Sequence, residues 1–194
     1  MTCLTFSPTT SEKCTNPYTL WLADTNNDVM KINNEKLQQL LTTSPTAYRI
    51  ISRHSPVGAL IPAPNQFIKE KLYKIQHDKH CLPYIDLAVG ARVMVTKNLA
   101  TQIGIYNGAT GTVVGFGFHT AIPEENFPTV NTFHTLQNRE LPIVFVKMDT
   151  YTGTQLSTDA DKQNIVPFTE CVHEIKLTVN GTHYMRWQLP LILA

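Results

Sequence analysis

Arg92, Lys97 and Asn98 lie close together on and just beyond one run of branched residues, and Lys147 lies on another run further along. Side chains of these types hold phosphate oxygens when they face a groove, because cations and amides donate to phosphate without reading sequence. A solvated rim explains Arg92, Lys97 and Asn98 equally well. Tyr106 and Phe116, at a turn and a strand end, are the better candidates for stacking on bases. Trp21 and Trp187 sit in apolar strand patterns that favour core packing. His77-Asp78-Lys79-His80-Cys81 puts two histidines and a thiol within five positions, but no second ligand pair follows at zinc-like spacing, so a solvated linker is expected there and no metal. Asp24, Asp28 and Glu35 gather around an expected helix start, where carboxylates complement the dipole better than they serve acid-base catalysis. No Ser-His-Asp or Cys-His pair stands out, and no catalytic residue is assigned.

The elements that must position these residues read from period and punctuation. Residues 1 to 17 are rich in Ser, Thr, Pro and Asn and are expected to be a loose leader. Tyr18 to Ala23 has a strand's texture, and Asp24-Thr25-Asn26 offers N-caps for a helix whose apolar positions are Val29, Ile32, Leu37, Leu40 and Leu41. Residues 42 to 66, with their prolines, read as an extended connection, followed by a short amphipathic helix through Phe67, Ile68, Leu72 and Ile75. From Leu82 the texture is β. Ile85, Leu87, Val89, Val93 and Val95 alternate with smaller or polar residues, and Thr112 to Phe116 continues the pattern. Residues 119 to 139 read as a long loop. Further strands are expected at Leu141 to Met148 and Ile165 to Phe168, and a hairpin at Asn180-Gly181. Five or so short strands with tight turns make a small barrel. Asn and Gly tolerate positive φ, so Asn107-Gly108 suits a tight turn, and Gly90 and Gly111 suit a turn and a bulge or close approach.

Composition bounds the chemistry. The 194 residues are 42% hydrophobic, enough for one sizeable core or two small ones. The 16 Lys and Arg nearly cancel the 15 Asp and Glu, for a formal charge of +1, so any nucleic-acid contact must be local. Four cysteines, at positions 3, 14, 81 and 171, have neither paired spacing nor disulfide-scaffold density and suit a reducing compartment. No apolar run approaches membrane-spanning length, and an intracellular chain is expected.

One ordered series carries a resemblance. Leu87-Ala88-Val89-Gly90-Ala91-Arg92-Val93-Met94-Val95-Thr96-Lys97-Asn98, then Gly104-Ile105-Tyr106-Asn107-Gly108-Ala109-Thr110-Gly111-Thr112-Val113-Val114-Gly115-Phe116, resembles the accessory barrel of the petite-integration-frequency (PIF-type) ATP-dependent DNA helicases, superfamily-one and RecD-like. Pro142 to Lys147 and Ile165-Val166-Pro167 resemble its later strands, and Arg186-Trp187-Gln188-Leu189-Pro190-Leu191 resembles the return of the chain to the motor. Leu22 to Asn26 with Ile32-Asn33 looks like the signature that opens the second motor half.

The resemblance implies an α+β chain, in which a small antiparallel SH3-like β-barrel is joined to a partial RecA-like α/β motor domain. Residues 18–78 would belong to motor domain 2A, 79–180 to the SH3-like 2B barrel, and 181–194 to a return strand into 2A. It also implies DNA unwinding in repair, recombination and telomere maintenance, a nuclear or mitochondrial location, a monomer, and weak contact with single-stranded DNA and with the remaining motor segments. ATP and magnesium serve intact members of the family. No Gly-Lys-Ser or Gly-Lys-Thr loop occurs in these 194 residues, and the family's Thr-Ile-His-Lys-Ser-Gln-Gly stretch is also absent. The expectation is therefore a fragment without its own ATP chemistry. Two alternatives remain: a free-standing, non-catalytic module that binds nucleic acid or protein, and a decayed mobile-element fragment.

Overall fold

A computed structural model describes residues 25–43, 46–57, 83–118, 133–136, 142–179 and 181–194. Helix α1 (Asn26–Leu41) begins where Thr25 accepts the Asp28 amide at 3.2 Å and its hydroxyl donates to the Asp28 carboxylate at 2.6 Å. That cap satisfies an orphan donor, and Asp28 adds a favourable charge in the first turn. Glu35, expected near this start, lies mid-helix. Leu37 and Leu41 bury the C-terminal half of the helix, whereas Val29 is exposed, so the apolar stripe is shorter than its sequence period suggests. Asn33 donates to the Leu193 carbonyl at 3.1 Å and ties the helix to the last strand.

Eleven strands form three sheets among the described residues. In the first, β1 (Ala47–Ile51) is central, antiparallel to β3 (Tyr84–Ala88) and parallel to β6 (His134–Leu136). Tyr48, Ile50, Ile85, Leu87 and Leu136 face inward and are buried. In the second, β10 (Thr182–Gln188) lies between β2 (Arg53–Pro56) and β9 (Cys171–Val179), antiparallel to both. The expected hairpin joins β9 to β10, with Gly181 at φ +78°. The third sheet runs β11 (Leu191–Leu193), β4 (Arg92–Val95), β5 (Thr110–Gly117), β7 (Ile143–Met148) and β8 (Ile165–Phe168), all antiparallel. Val93, Val95, Val113, Val144, Val146, Met148, Val166 and Phe168 alternate onto its buried face. The class is mixed α+β, mostly sheet with one helix among the described residues.

Two expectations of irregular chain are corrected. Residues 42 to 66 contain β1 and β2, and the loop expected over 119 to 139 contains β6. These strands are short and their partners are distant, so local punctuation outweighed pairing that only the fold reveals. Of the strands expected in the barrel, β4, β5, β7 and β8 share one sheet with β11, β3 pairs with β1, and β9 pairs with β10. The expected strand at residues 18 to 23, which includes Trp21, and the expected helix at residues 67 to 75 lie outside the described residues.

Candidate nucleic-acid interface

The outer face of the five-stranded sheet collects the first candidate residues. Register places Arg92 opposite Thr112, Thr112 opposite Lys147, and Lys147 opposite Ile165. Cross-strand partners share a face, so Arg92, Thr112 and Lys147 form one row across β4, β5 and β7. Arg92 donates from Nη1 to the Thr112 hydroxyl at 3.1 Å. It also clasps Asp149 with two bonds, Nη1 to Oδ1 at 3.0 Å and Nη2 to Oδ2 at 2.6 Å. The Thr110 hydroxyl donates to the same carboxylate at 2.6 Å. The Arg92 bonds, with help from Thr110, hold Asp149 below the usual carboxylate range against the opposing effect of burial. Asp149 therefore stays charged near neutrality and is no proton carrier.

This arrangement fixes the plane of Arg92 but cancels much of its charge locally. An exposed pair of this kind adds only about 0–1 kcal/mol to stability. A phosphate reaching Arg92 competes with Asp149. Lys147 is exposed, and its long 3.4 Å contact to the Asp161 carbonyl leaves its charge available.

The other candidates diverge from the row. Lys97 is half-buried and its Nζ donates to the Val172 carbonyl at 2.5 Å, binding the end of β4 to the start of β9. Burial raises the neighbouring Cys171 thiol above its ordinary pKa, and Lys97 partly offsets this. Asn98 accepts the Asn107 amide at 2.9 Å and closes the loop between β4 and β5. Tyr106 stands exposed on that loop. Phe116, expected at an open strand end, instead packs edge-on against Tyr48 with ring centroids 4.9 Å apart. Its ring is committed to the interior.

The turn residues separate in the same way. The Ala109 amide bonds the Tyr106 carbonyl at 3.0 Å, and Gly108 has φ +99° at the third position of the turn. Asn107 does not share that positive φ, so the turn is of type II and requires only the glycine. Gly90 has φ +91° and links β3 to β4. A Cβ on Gly111 would lie 2.6 Å from Val146 Cγ1 and 2.7 Å from the Lys147 carbonyl oxygen, so this glycine permits close approach of β5 to β7. The bulge of β5 falls between Val113 and Gly115 instead.

A buried polar centre escaped the sequence reading. Arg186 is fully buried on β10, and its Nε donates to His54 Nε2 on β2 at 2.9 Å. Burial and the Arg186 charge lower His54 to about 3 from its ordinary 6.5, so the imidazole is neutral and accepts. Gln188 donates to the Ile50 carbonyl at 3.3 Å and accepts the Leu189 amide at 2.8 Å. Beside this centre, the Trp187 indole donates to Ser55 at 3.1 Å, while Arg53 lies over its ring and pairs with Glu170. The available signal was the alternation of Tyr184, Arg186 and Gln188, which puts all three on one side of a strand. Among the described residues no group of three or more His, Cys, Asp or Glu could hold a metal ion. The His77 to Cys81 cluster lies outside them.

No protein-family model matches this sequence, and no curated protein matches it. Solved structures do resemble the fold. The Pif1 helicase from Candida albicans aligns with a TM-score of 0.53 and 19% identity, over 89% of this chain and 33% of that one. Bacteroides Pif1 bound to single-stranded DNA aligns with a TM-score of 0.46 and 19% identity, over 88% of this chain and 28% of that one. Unliganded Pif1 from Bacteroides sp. gives 0.45 and 20%, over 87% and 37%. The chain thus spans about a third of the length of these proteins. At such identity the likeness to the Candida structure concerns fold alone: this chain has the fold of part of a Pif1 helicase.

Proposed function

We propose that this chain is a segment of an ATP-dependent DNA helicase of the petite-integration-frequency type, and that it contacts single-stranded DNA through the outer face of β4, β5 and β7. The carrying observation is the Arg92–Thr112–Lys147 row, set in a fold like that of part of a Pif1 helicase. A fixed guanidinium, a hydroxyl and an exposed ammonium suit a phosphate track, because each donates and none distinguishes bases. Residues 79–180 play the accessory SH3-like part in this reading. On the same reading ATP and magnesium serve the intact helicase, because no Gly-Lys-Ser or Gly-Lys-Thr loop to cradle the phosphates occurs in the sequence.

Fluorescence anisotropy with a labelled oligothymidine and a matching duplex tests the proposal. Weak binding that favours the single strand supports it. Absence of binding to either at low salt, by a chain shown to be folded, overturns it.

A further inference from the structure

We propose that Arg49 and Tyr84 form a nucleobase-stacking platform on the outer face of the β3–β1–β6 sheet, a second single-strand contact separate from the Arg92–Lys147 row. This inference rests on the single-strand-binding reading above and names where bases, as opposed to phosphates, would be held.

The inner face of that sheet is filled by Tyr48, Ile50, Ile85 and Leu87, and Arg49 and Tyr84 alternate to the opposite side. Arg49 Cζ lies 4.7 Å from the centre of the Tyr84 ring. Asp86, on the same strand as Tyr84, clamps the guanidinium by a two-pronged bond, Nε to Oδ1 at 2.7 Å and Nη2 to Oδ2 at 2.7 Å. A guanidinium gripped at two nitrogens cannot rotate, so its plane is preorganised. Both partners remain open to solvent: Tyr84 is 46% exposed and the Arg49 side chain 42%. Arg49 Nη1 is left without a partner among the described residues. Thr135 on β6 lies opposite Arg49 in register and is exposed.

Charge decides between ligand classes. Asp86 offsets the Arg49 cation, so the patch attracts phosphate weakly, yet it keeps a flat aromatic-cationic surface edged with donors. Unstacked bases of a single strand offer the matching flat face and acceptor edges, and stacking on aromatic rings or guanidinium planes tolerates any base. The interior residues already secure the sheet, and an ion pair this exposed contributes little to folding.

The test compares binding of labelled oligothymidine with binding of an abasic oligonucleotide of equal length, at fixed salt. The unaltered chain is set beside Tyr84→Leu, Tyr84→Phe and Arg49→Lys, each first shown to melt as the unaltered chain does. Tyr84→Leu should weaken oligothymidine binding about 5- to 100-fold and leave abasic binding and the salt slope unchanged, while Tyr84→Phe keeps affinity. Arg49→Lys, which retains charge but loses the plane, should weaken oligothymidine in the same sense and serves alone if the Tyr84→Leu variant does not fold. Oligothymidine affinity equal to that of the unaltered chain in both Tyr84→Leu and Arg49→Lys overturns the platform while leaving the phosphate row standing. Equal losses on both oligonucleotides overturn it as well. No binding of either oligonucleotide by the unaltered chain removes the single-strand reading, and the platform with it.

Discussion

Acid should weaken this fold through one histidine. His54 is buried, accepts from the fully buried Arg186 at 2.9 Å, and is held at about 3 against an ordinary 6.5. Its folded value is depressed, so between these limits the unfolded chain binds the extra proton and stability rises with pH. The contribution is complete above pH 6.5 and is lost as pH falls from there toward 3. At pH 4.5, two units below the unfolded value, the loss is on the order of 2–3 kcal/mol, from about 1.4 kcal/mol for each unit. The perturbation is His54→Gln, whose amide oxygen keeps an acceptor for Arg186 without titrating. Urea midpoints followed by tryptophan fluorescence, measured at pH 7.5 and 4.5, give the stability change for each chain. Other groups titrate alike in both, so the difference isolates His54 whatever the substitution costs at neutral pH. The unaltered chain should lose roughly 2–3 kcal/mol more than the variant over this interval. Equal losses would mean that His54 ionises freely in the folded state, against its burial beside Arg186.

Gly111→Ala should destabilise by about 1–3 kcal/mol, because its new methyl meets a backbone carbonyl as well as Val146, whereas Gly115→Ala, with nothing within 4 Å, should stay within about 0.5 kcal/mol. Thermal denaturation of the two variants side by side checks the contrast, and equal melting temperatures would contradict it. The purified chain should hydrolyse ATP no faster than buffer, with or without single-stranded DNA, since no loop in its sequence cradles the phosphates. Turnover in a coupled assay that persists through repurification would reveal a nucleotide site in unexpected residues.

What the sequence made legible was local. Thr25 and Asp28 announce the helix start, the alternation through Val93, Val95 and Val113 announces buried strand faces, and glycines mark the turns at 108 and 181. Long-range pairing was hidden. The β1 strand owes its existence to β3 and β6, with Arg49 and Asp86 37 positions apart, and β2 owes its own to β10, with His54 and Arg186 132 apart. Within the candidate site, residue type identified Arg92 and Lys147 but not their surroundings. Asp149, the partner that neutralises Arg92, lies 57 positions away and only register brings it close. Phe116 has the same composition cues as an exposed aromatic, and only the placement of Tyr48 shows that it faces inward. Tyr84 and Arg49 escaped notice because neither belongs to a motif and their meeting depends on β1 pairing with β3.

A phosphate-contacting face on β4, β5 and β7 would show itself in the salt dependence of oligothymidine binding. Anisotropy titrations from low to moderate salt would compare the unaltered chain with an Arg92→Gln, Lys147→Gln double variant that melts normally. The expected slope is roughly 0.7 per neutralised phosphate, hence about 0.7 to 1.4 for this row, falling toward zero in the double variant along with a uniform loss of affinity across DNA sequences. An unchanged affinity and slope in the folded double variant would contradict it.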